Sequence, residues 1–171
     1  MKKCVILSLI LFLSIQLQSQ TLRKITKSSV SFRIKNAGSW VDGSFGQVSG
    51  TIKFDEKSAT NSIDATVEAK SLSTKSDMRD KHLNKDDFFD TEKIPLIKIT
   101  SKKITQQSDG SYMGDFNITI KSTTKAMQIP FTFKNNVFSA QFTINRKDFN
   151  VGGGTLILTE SAYVVVVFAT E

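Results

Sequence analysis

The sequence is poor in the residues on which most catalytic and metal sites depend. Its 171 residues include one cysteine, one histidine and one tryptophan. The cysteine, Cys4, lies at the extreme amino terminus, ahead of an apolar run. The chain after that run therefore has no disulfide, no thiol nucleophile and no cysteine-based metal site. We expect its stability to come from the core alone.

Signatures of nucleophilic catalysis and phosphate binding are also missing. No G-x-S-x-G motif occurs, and Gly152-Gly153-Gly154 is not followed by Lys-Ser/Thr, which indicates a turn rather than a phosphate loop. Asp86, Asp87 and Asp90 lie in a highly charged stretch, where we expect a solvated surface rather than an acid–base pair. The sequence thus predicts no catalytic residue and a protein that is not an enzyme.

The single histidine does not predict a metal site. On a helix, His82 and Asp86 would lie one turn apart, with Asp87 and Asp90 nearby. One imidazole with scattered carboxylates is a weak ligand set, because transition-metal sites need convergent ligands and supporting partners. We predict no metal ligand and no resident cofactor, and expect His82 to be a structural or surface residue.

The first twenty residues are typical of a secretory signal peptide. Lys2 and Lys3 precede an apolar run from Val5 to Leu17, which is too short for a comfortable membrane span. We predict a signal peptide over residues 1–20 and one domain over residues 21–171; an uncleaved anchor is the alternative. This organisation predicts a periplasmic or extracellular bacterial protein.

Charge gives a weaker indication of partners. The formal net charge is +7, but the lysines are dispersed and no basic block alternates with aromatic residues. This pattern favours a solvated surface and predicts no binding of nucleic acid. Transient contact with an anionic membrane surface stays open. So does the oligomeric state, a homodimer included.

Apolar and polar residues alternate along most of the chain. Such alternation predicts strands with one apolar face, and short turn signals such as Asp42-Gly43 and Asn135-Asn136 separate them. Eight strand candidates result, which indicates an all-β fold, an antiparallel barrel or sandwich. The candidates begin near Val30, Val48, Ile63, Ile97, Tyr112, Ile129, Phe138 and Ala162.

One segment departs from this pattern. Residues 76–87 are rich in charge and contain no glycine or proline, which predicts a short helix capped by Ser76. Phe88 and Phe89 follow directly, amid charged neighbours. The two rings either reach a core or line a space that a ligand enters.

The predicted inward faces are rich in aromatic rings. An eight-stranded barrel is about wide enough to be filled by side chains or to hold one small ligand. The sequence leaves both alternatives open: rings that fill the lumen, and rings that line a slot for a long apolar guest. The residues predicted to contact a guest, in the lumen or at its mouth, are Phe32, Ile34, Phe54, Phe88, Phe89, Ile99, Phe116, Ile118, Phe131, Phe133, Phe142, Arg146, Val164 and Val166.

Arg146 is the one charged residue in that set. It continues the inward register of Ile144, and an inward arginine requires partners. Pairing with Asp148 or Asp90 is the structural interpretation. Contact with the polar head of a guest is the alternative.

Four segments of the chain carry a combined signature: GSWVDGSFGQVSGTIKFD (38–55), AKSLSTKSDMRDKHLNKDDFFDTEKIPLIKITSKKI (69–104), GDFNITIKSTTKAMQIPFTF (114–133) and INRKDFN (144–150). In this order they resemble the YceI-like proteins, a bacterial lipid- or polyisoprenoid-binding family. Together they span most of residues 29–169. The second segment carries the most distinctive elements, D-x-H-L and D-F-F-D.

The resemblance implies a lipocalin-like antiparallel barrel, secreted, without catalytic activity, whose tunnel holds a long isoprenoid chain. It implies a non-enzymatic carrier of a polyisoprenoid or isoprenoid quinone, with His82 beside the mouth as a polar contact, to a loop or to the head group of the lipid. The alternative is a structural or stress-associated interaction protein whose barrel is filled by its own side chains.

Overall fold

An antiparallel sheet of ten strands curls into a half-barrel in a computed structural model, which describes residues 21–58 and 60–171. The strands are β1 (Leu22–Arg23), β2 (Ile25–Asn36), β3 (Ser39–Phe45), β4 (Ser49–Lys53), β5 (Ser62–Glu68), β6 (Leu96–Gln106), β7 (Tyr112–Ile120), β8 (Thr123–Lys134), β9 (Val137–Asn145) and β10 (Ser161–Thr170). Their order in the sheet is β1-β4-β5-β6-β7-β8-β9-β10-β2-β3. The all-β antiparallel class with one short helix is confirmed, and the number of eight strands was wrong. The predicted signal peptide lies outside the described residues.

The first strands explain how the sheet curls. Only Lys24 separates β1 from β2, yet β1 pairs with β4 while β2 pairs with β10 and β3. One stretch of chain therefore contacts both sides of the curl. Near the carboxyl end of β3, Ser44 forms an isolated β-bridge with Ser73.

Strand β3 corrects a predicted turn. Asp42-Gly43 lies inside β3, and the β2–β3 turn is formed by Ala37 and Gly38, both with positive φ. Gly43 is opposite Phe32, and a Cβ atom built on Gly43 would lie 2.3 Å from Cζ of that ring. The glycine is thus in the strand because it leaves room for an aromatic ring, not because the chain turns there.

The helix α1 spans Asp77–Leu83, shorter than the predicted 76–87. Ser76 occupies the N-cap position, but its side chain makes no capping hydrogen bond, contrary to the prediction. Asn84 ends the helix: its Nδ2 donates to the Asp80 carbonyl at 2.8 Å, and tight turns follow as far as Phe89. No helix of the described chain is long and apolar enough to cross a bilayer.

An aromatic cluster closes one end of the curled sheet. The ring of Phe54, fully buried, lies 4.9 Å from those of Phe133 and Phe138 and 5.1 Å from that of Tyr112. Burial raises the pKa of the Tyr112 phenol. Strands β4 and β5 are antiparallel, so the carboxyl end of β4, beside this cluster, and the carboxyl end of β5 lie at opposite ends of the half-barrel. From the end of β5 the chain continues through a 3-10 helix (Ala69–Ser71) to α1. The half-barrel thus has a closed aromatic end and a helix-capped end.

Candidate binding cavity

An apolar cavity of about 650 Å³ occupies the helix-capped half of the barrel. This volume lies within the range of pockets that hold small ligands, about 300–1,000 Å³. Ten residues predicted to contact a guest line it, and that role itself stays a prediction. They are Phe32, Ile34, Phe88, Phe89, Ile99, Ile118, Phe142, Arg146, Val164 and Val166.

The other four predicted residues do not line this cavity. Phe54, Phe116, Phe131 and Phe133 belong to the closed aromatic end, each at most 6% exposed. Phe116 and Phe131 border a separate space of about 50 Å³. The sequence left open whether rings fill the barrel or line a space for a guest, and each alternative describes one half of it. Rings fill the closed aromatic end, and rings line the cavity at the helix-capped end.

Several residues that line the cavity were not predicted from the sequence. Val41 and Phe45 face the cavity from β3, and their alternation with Trp40, Asp42 and Ser44 was present in the sequence. The Asp42-Gly43 turn signal masked that period. Others come from the segment after β9 (residues 146–160), a short 3-10 helix (Arg146–Phe149) followed by irregular chain, which carries no period to detect. These are Phe149, Val151, Thr155, Ile157 and Leu158.

Phe88 and Phe89 connect the helical segment to the barrel. Phe88 is 6% exposed and packs on Gly152, where a Cβ atom would lie 2.5 Å from the ring. Phe89 is half-buried and contacts Phe45 of β3 edge-on, with ring centroids 5.8 Å apart. Both rings border the cavity, with open volume behind them. Together with α1 they form the lid of the cavity, residues 77–89.

His82 lies on α1 at the same lid. Its Nε2 is 3.2 Å from Oδ2 of Asp87, and its ring meets Phe88 edge-on at 5.1 Å. Both the imidazole and the carboxylate are exposed. Within residues 21–58 and 60–171, no group of three His, Cys, Asp or Glu side chains could hold a metal ion. The observed contacts are those of a histidine that positions the lid.

Arg146 is buried, as its register predicted, but its partners differ from the prediction. Neither Asp148 nor Asp90 pairs with it; Asp90 pairs with Lys93. Its guanidinium donates to backbone carbonyls of the segment that follows, and burial lowers its pKa. Arg146 thus holds that segment against the barrel. The acceptors are the carbonyls of Val151 (2.7 Å), Gly152, Thr155 (3.2 Å), Leu158 (2.9 Å) and Thr159 (2.9 Å).

A second cation at the cavity was not predicted. Arg79 of α1 donates from Nε to Oγ1 of Thr74 at 2.7 Å and from Nη2 to the Thr74 carbonyl at 2.8 Å. Asp80 accepts from the Thr74 amide at 2.9 Å and so fixes the same residue. Arg79, Lys98 and His82 also border the cavity, so its apolar wall has a few polar groups. The sequence did carry a signal for it: Arg79, His82 and Leu83 are spaced i, i+3 and i+4 and so share one helix face, and that face borders the cavity.

Comparison with known proteins identifies the family. The model of the YceI-like domain matches residues 22–169. The chain belongs to the YceI-like family. A UPF0312 protein of Pectobacterium atrosepticum is 33% identical over 134 residues, 71% of this chain and 69% of that protein. Protein YceI of Escherichia coli O157:H7 is 34% identical over 135 residues, 71% of this chain and 70% of that protein.

Solved structures agree on the YceI-like fold. BcnA of Burkholderia cenocepacia superposes with a TM-score of 0.77 at 26% identity, covering 82% of this chain and 94% of that one. A domain of Saccharophagus degradans described as polyisoprenoid binding gives a TM-score of 0.67, covering 90% and 99%. At 13% identity this second likeness shows the fold alone.

Substitution of two glycines of this YceI-like protein tests whether one half of the barrel is packed and the other half contains open space. A Cβ atom on Gly114 would lie 2.2 Å from the Phe116 ring, and one on Gly43 would lie 2.3 Å from the Phe32 ring. Gly114→Ala should cost about 1–3 kcal/mol of unfolding free energy, because packed rings at the closed end cannot yield. Gly43→Ala should cost less, because Phe32 can swing into open volume.

Urea unfolding of both variants measures the difference. Gly153→Ala is the control, because no atom lies within 4 Å of the added Cβ. Equal losses for Gly43→Ala and Gly114→Ala would contradict the assignment of open space to one half only.

Proposed function

We propose that this YceI-like protein is a non-enzymatic carrier of a long apolar lipid, a polyisoprenoid or an isoprenoid quinone. The observation that carries the proposal is the cavity of about 650 Å³, with its almost wholly apolar wall. The Saccharophagus degradans domain described as polyisoprenoid binding supports the choice of ligand class. The alternative, a structural interaction protein with a self-filled barrel, accounts for the closed aromatic end but not for this space.

Affinity in such a carrier comes from burial. Each methylene group removed from water contributes about 0.8 kcal/mol, so a long chain binds tightly with few polar contacts. The polar groups at the cavity are then available for the head of the lipid. Arg79 is one of these groups, and Thr74 holds its guanidinium in place. Cavity length would select the chain, and these groups would select the head.

Location forms part of the same proposal. A signal peptide over residues 1–20 would place the carrier in the periplasm or outside the cell, where apolar lipids need a protein shell to cross water. Amino-terminal sequencing of the protein recovered from the periplasm tests this point. A start near Thr21 supports secretion, and an intact Met1 in the cytosol contradicts it.

Lipid extraction from the natively secreted protein tests the carrier proposal. We expect organic extraction and mass spectrometry to recover an isoprenoid lipid close to one per protein. Val164→Phe should lower this recovery, because Val164 lies between Phe32 and Phe142 on the cavity wall and a larger ring would narrow the cavity there.

The neighbouring position supplies a matched control. Val165 points to the other face of β10, beside Ser31 and Gln141, so Val165→Phe adds the same ring outside the cavity. It should leave the lipid content unchanged. Absence of stoichiometric lipid from the native protein would favour the self-filled alternative, and equal loss in both variants would place the ligand elsewhere.

A further inference from the structure

The segment after β9 exposes apolar side chains beside the cavity. Leu156 is 100% exposed and Ile157 is 61% exposed. The segment is nevertheless held on both sides: Arg146 binds its carbonyls, and the Ile157 carbonyl accepts from the Ala37 amide at 2.8 Å. The Thr159 amide donates to the Lys35 carbonyl at 2.9 Å. Two large apolar groups are therefore fixed in water, an arrangement that requires an explanation.

Through these backbone hydrogen bonds the segment lies beside the β2–β3 hairpin, which carries aromatic and cationic side chains on its outer face. Trp40 meets Tyr163 edge-on at 5.8 Å, and both rings are about half exposed. The Lys35 ammonium lies 5.0 Å from the centre of the Trp40 ring, and the Arg33 guanidinium lies 4.9 Å from it. Asp42 pairs with Arg33 at 3.1 Å. None of the ion pairs found in the described chain involves Lys35.

We propose that Leu156, Ile157, Trp40, Tyr163 and Lys35 form a docking surface for an anionic lipid bilayer. Exposed aliphatic residues insert into the acyl boundary, and tryptophan and tyrosine suit the headgroup level. Lys35, which forms no ion pair in the described chain, complements anionic headgroups, as does the net charge of +7, or +5 once Lys2 and Lys3 leave with the signal peptide.

Continuity with the cavity favours a bilayer as the occupant of this surface. Ile157 and its neighbour Leu158 also line the cavity, as does Asn36, which bridges to Leu158. Docking would therefore bring the cavity wall next to acyl chains, where a lipid can pass between bilayer and barrel without crossing water. The inference goes beyond a carrier in solution, because it fixes the surface through which the carrier meets its membrane.

Trp40 makes the docking directly measurable, since it is the only tryptophan in the chain. The purified protein is titrated with vesicles of phosphatidylcholine, with and without phosphatidylglycerol. We expect the emission of Trp40 to move to shorter wavelength with the anionic vesicles and to be quenched by brominated acyl chains. Added salt should weaken the effect. Unchanged emission with every vesicle would overturn the proposal.

Variants distinguish insertion of these side chains into the bilayer from nonspecific adsorption to vesicles. The double variant Leu156→Ser, Ile157→Ser should raise the apparent Kd for anionic vesicles about tenfold or more. Lys35→Gln should raise it about fivefold at low salt. Leu22→Ser is the matched control: Leu22 is 66% exposed but pairs with Lys53 at the closed end, so its loss should change nothing. An equal loss in this control would overturn the proposal.

Two further results distinguish the docking from its rivals. Val164→Phe should bind vesicles as the unmodified protein does, so failure of lipid carriage and failure of docking appear in different assays. A shift of Trp40 emission with rising protein concentration, without vesicles, would mean that a second copy covers the surface and would overturn the proposal.

Discussion

Replacing Arg146 with methionine is expected to lower the unfolding free energy by about 3 kcal/mol or more, as measured by urea denaturation of the delipidated protein. Methionine keeps the apolar stem but removes the donors that five backbone carbonyls accept from. A buried acceptor left without a partner costs about 1–3 kcal/mol. The total is smaller than the sum because the part of the segment near the surface regains contact with water.

The neighbouring Lys147 provides the control for this effect. Its Nζ lies 2.6 Å from Oε1 of Glu160, and both side chains are about half exposed. Lys147 lowers the pKa of the Glu160 carboxyl, yet exposed pairs contribute little to stability, so Lys147→Met should cost far less than Arg146→Met. Arg146→Lys should recover only part of the loss, because an ammonium has fewer donors and no planar fork. Equal losses at positions 146 and 147 would contradict this account.

The faces of the strands could be predicted because they depend on a local period. Along β7, Tyr112, Gly114, Phe116 and Ile118 are buried at alternate positions, as the sequence indicated. The alternation failed at β3, where a glycine that accommodates Phe32 resembled a turn residue. The face on which a side chain lies was therefore predictable, except where a residue such as glycine fits both a turn and a strand.

Depth within the barrel could not be predicted in the same way. Phe32 and Phe131 have the same inward register, yet one borders the open cavity and the other lies in the aromatic cluster. Alternation gives the side of a sheet, and the distance along the barrel depends on how the strands are staggered. That stagger is a long-range property that no short window contains.

The partners of Arg146 were unpredictable for another reason. Backbone carbonyls are present at every residue, so the sequence does not reveal which ones a guanidinium will meet. Among side chains, the carboxylates of Asp148 and Asp90 were the expected partners of this guanidinium. Irregular segments without period, such as the one after β9, need the three-dimensional path of the chain before their contacts can be assigned.

Replacing Phe54 with alanine is expected to cost about 3–5 kcal/mol of unfolding free energy. Its ring is fully buried and touches the rings of Tyr112, Phe133 and Phe138, so truncation leaves a void among side chains that cannot collapse into it. Phe32→Ala removes the same ring from the cavity wall. It should cost only about 1–2 kcal/mol, because that ring is partly exposed and adjoins open space.

Lipid content should respond in the opposite order. Phe54 does not border the cavity, so folded Phe54→Ala protein should retain the lipid content of the unmodified protein. Phe32→Ala changes the cavity wall and should reduce lipid content, although its fold is the more stable of the two. Unfolding must be measured on delipidated protein, since a bound ligand stabilises whichever variant retains it. If stability and lipid content fell in parallel in both variants, the closed end and the cavity would form one continuous site, and the separation of packing from binding would be wrong.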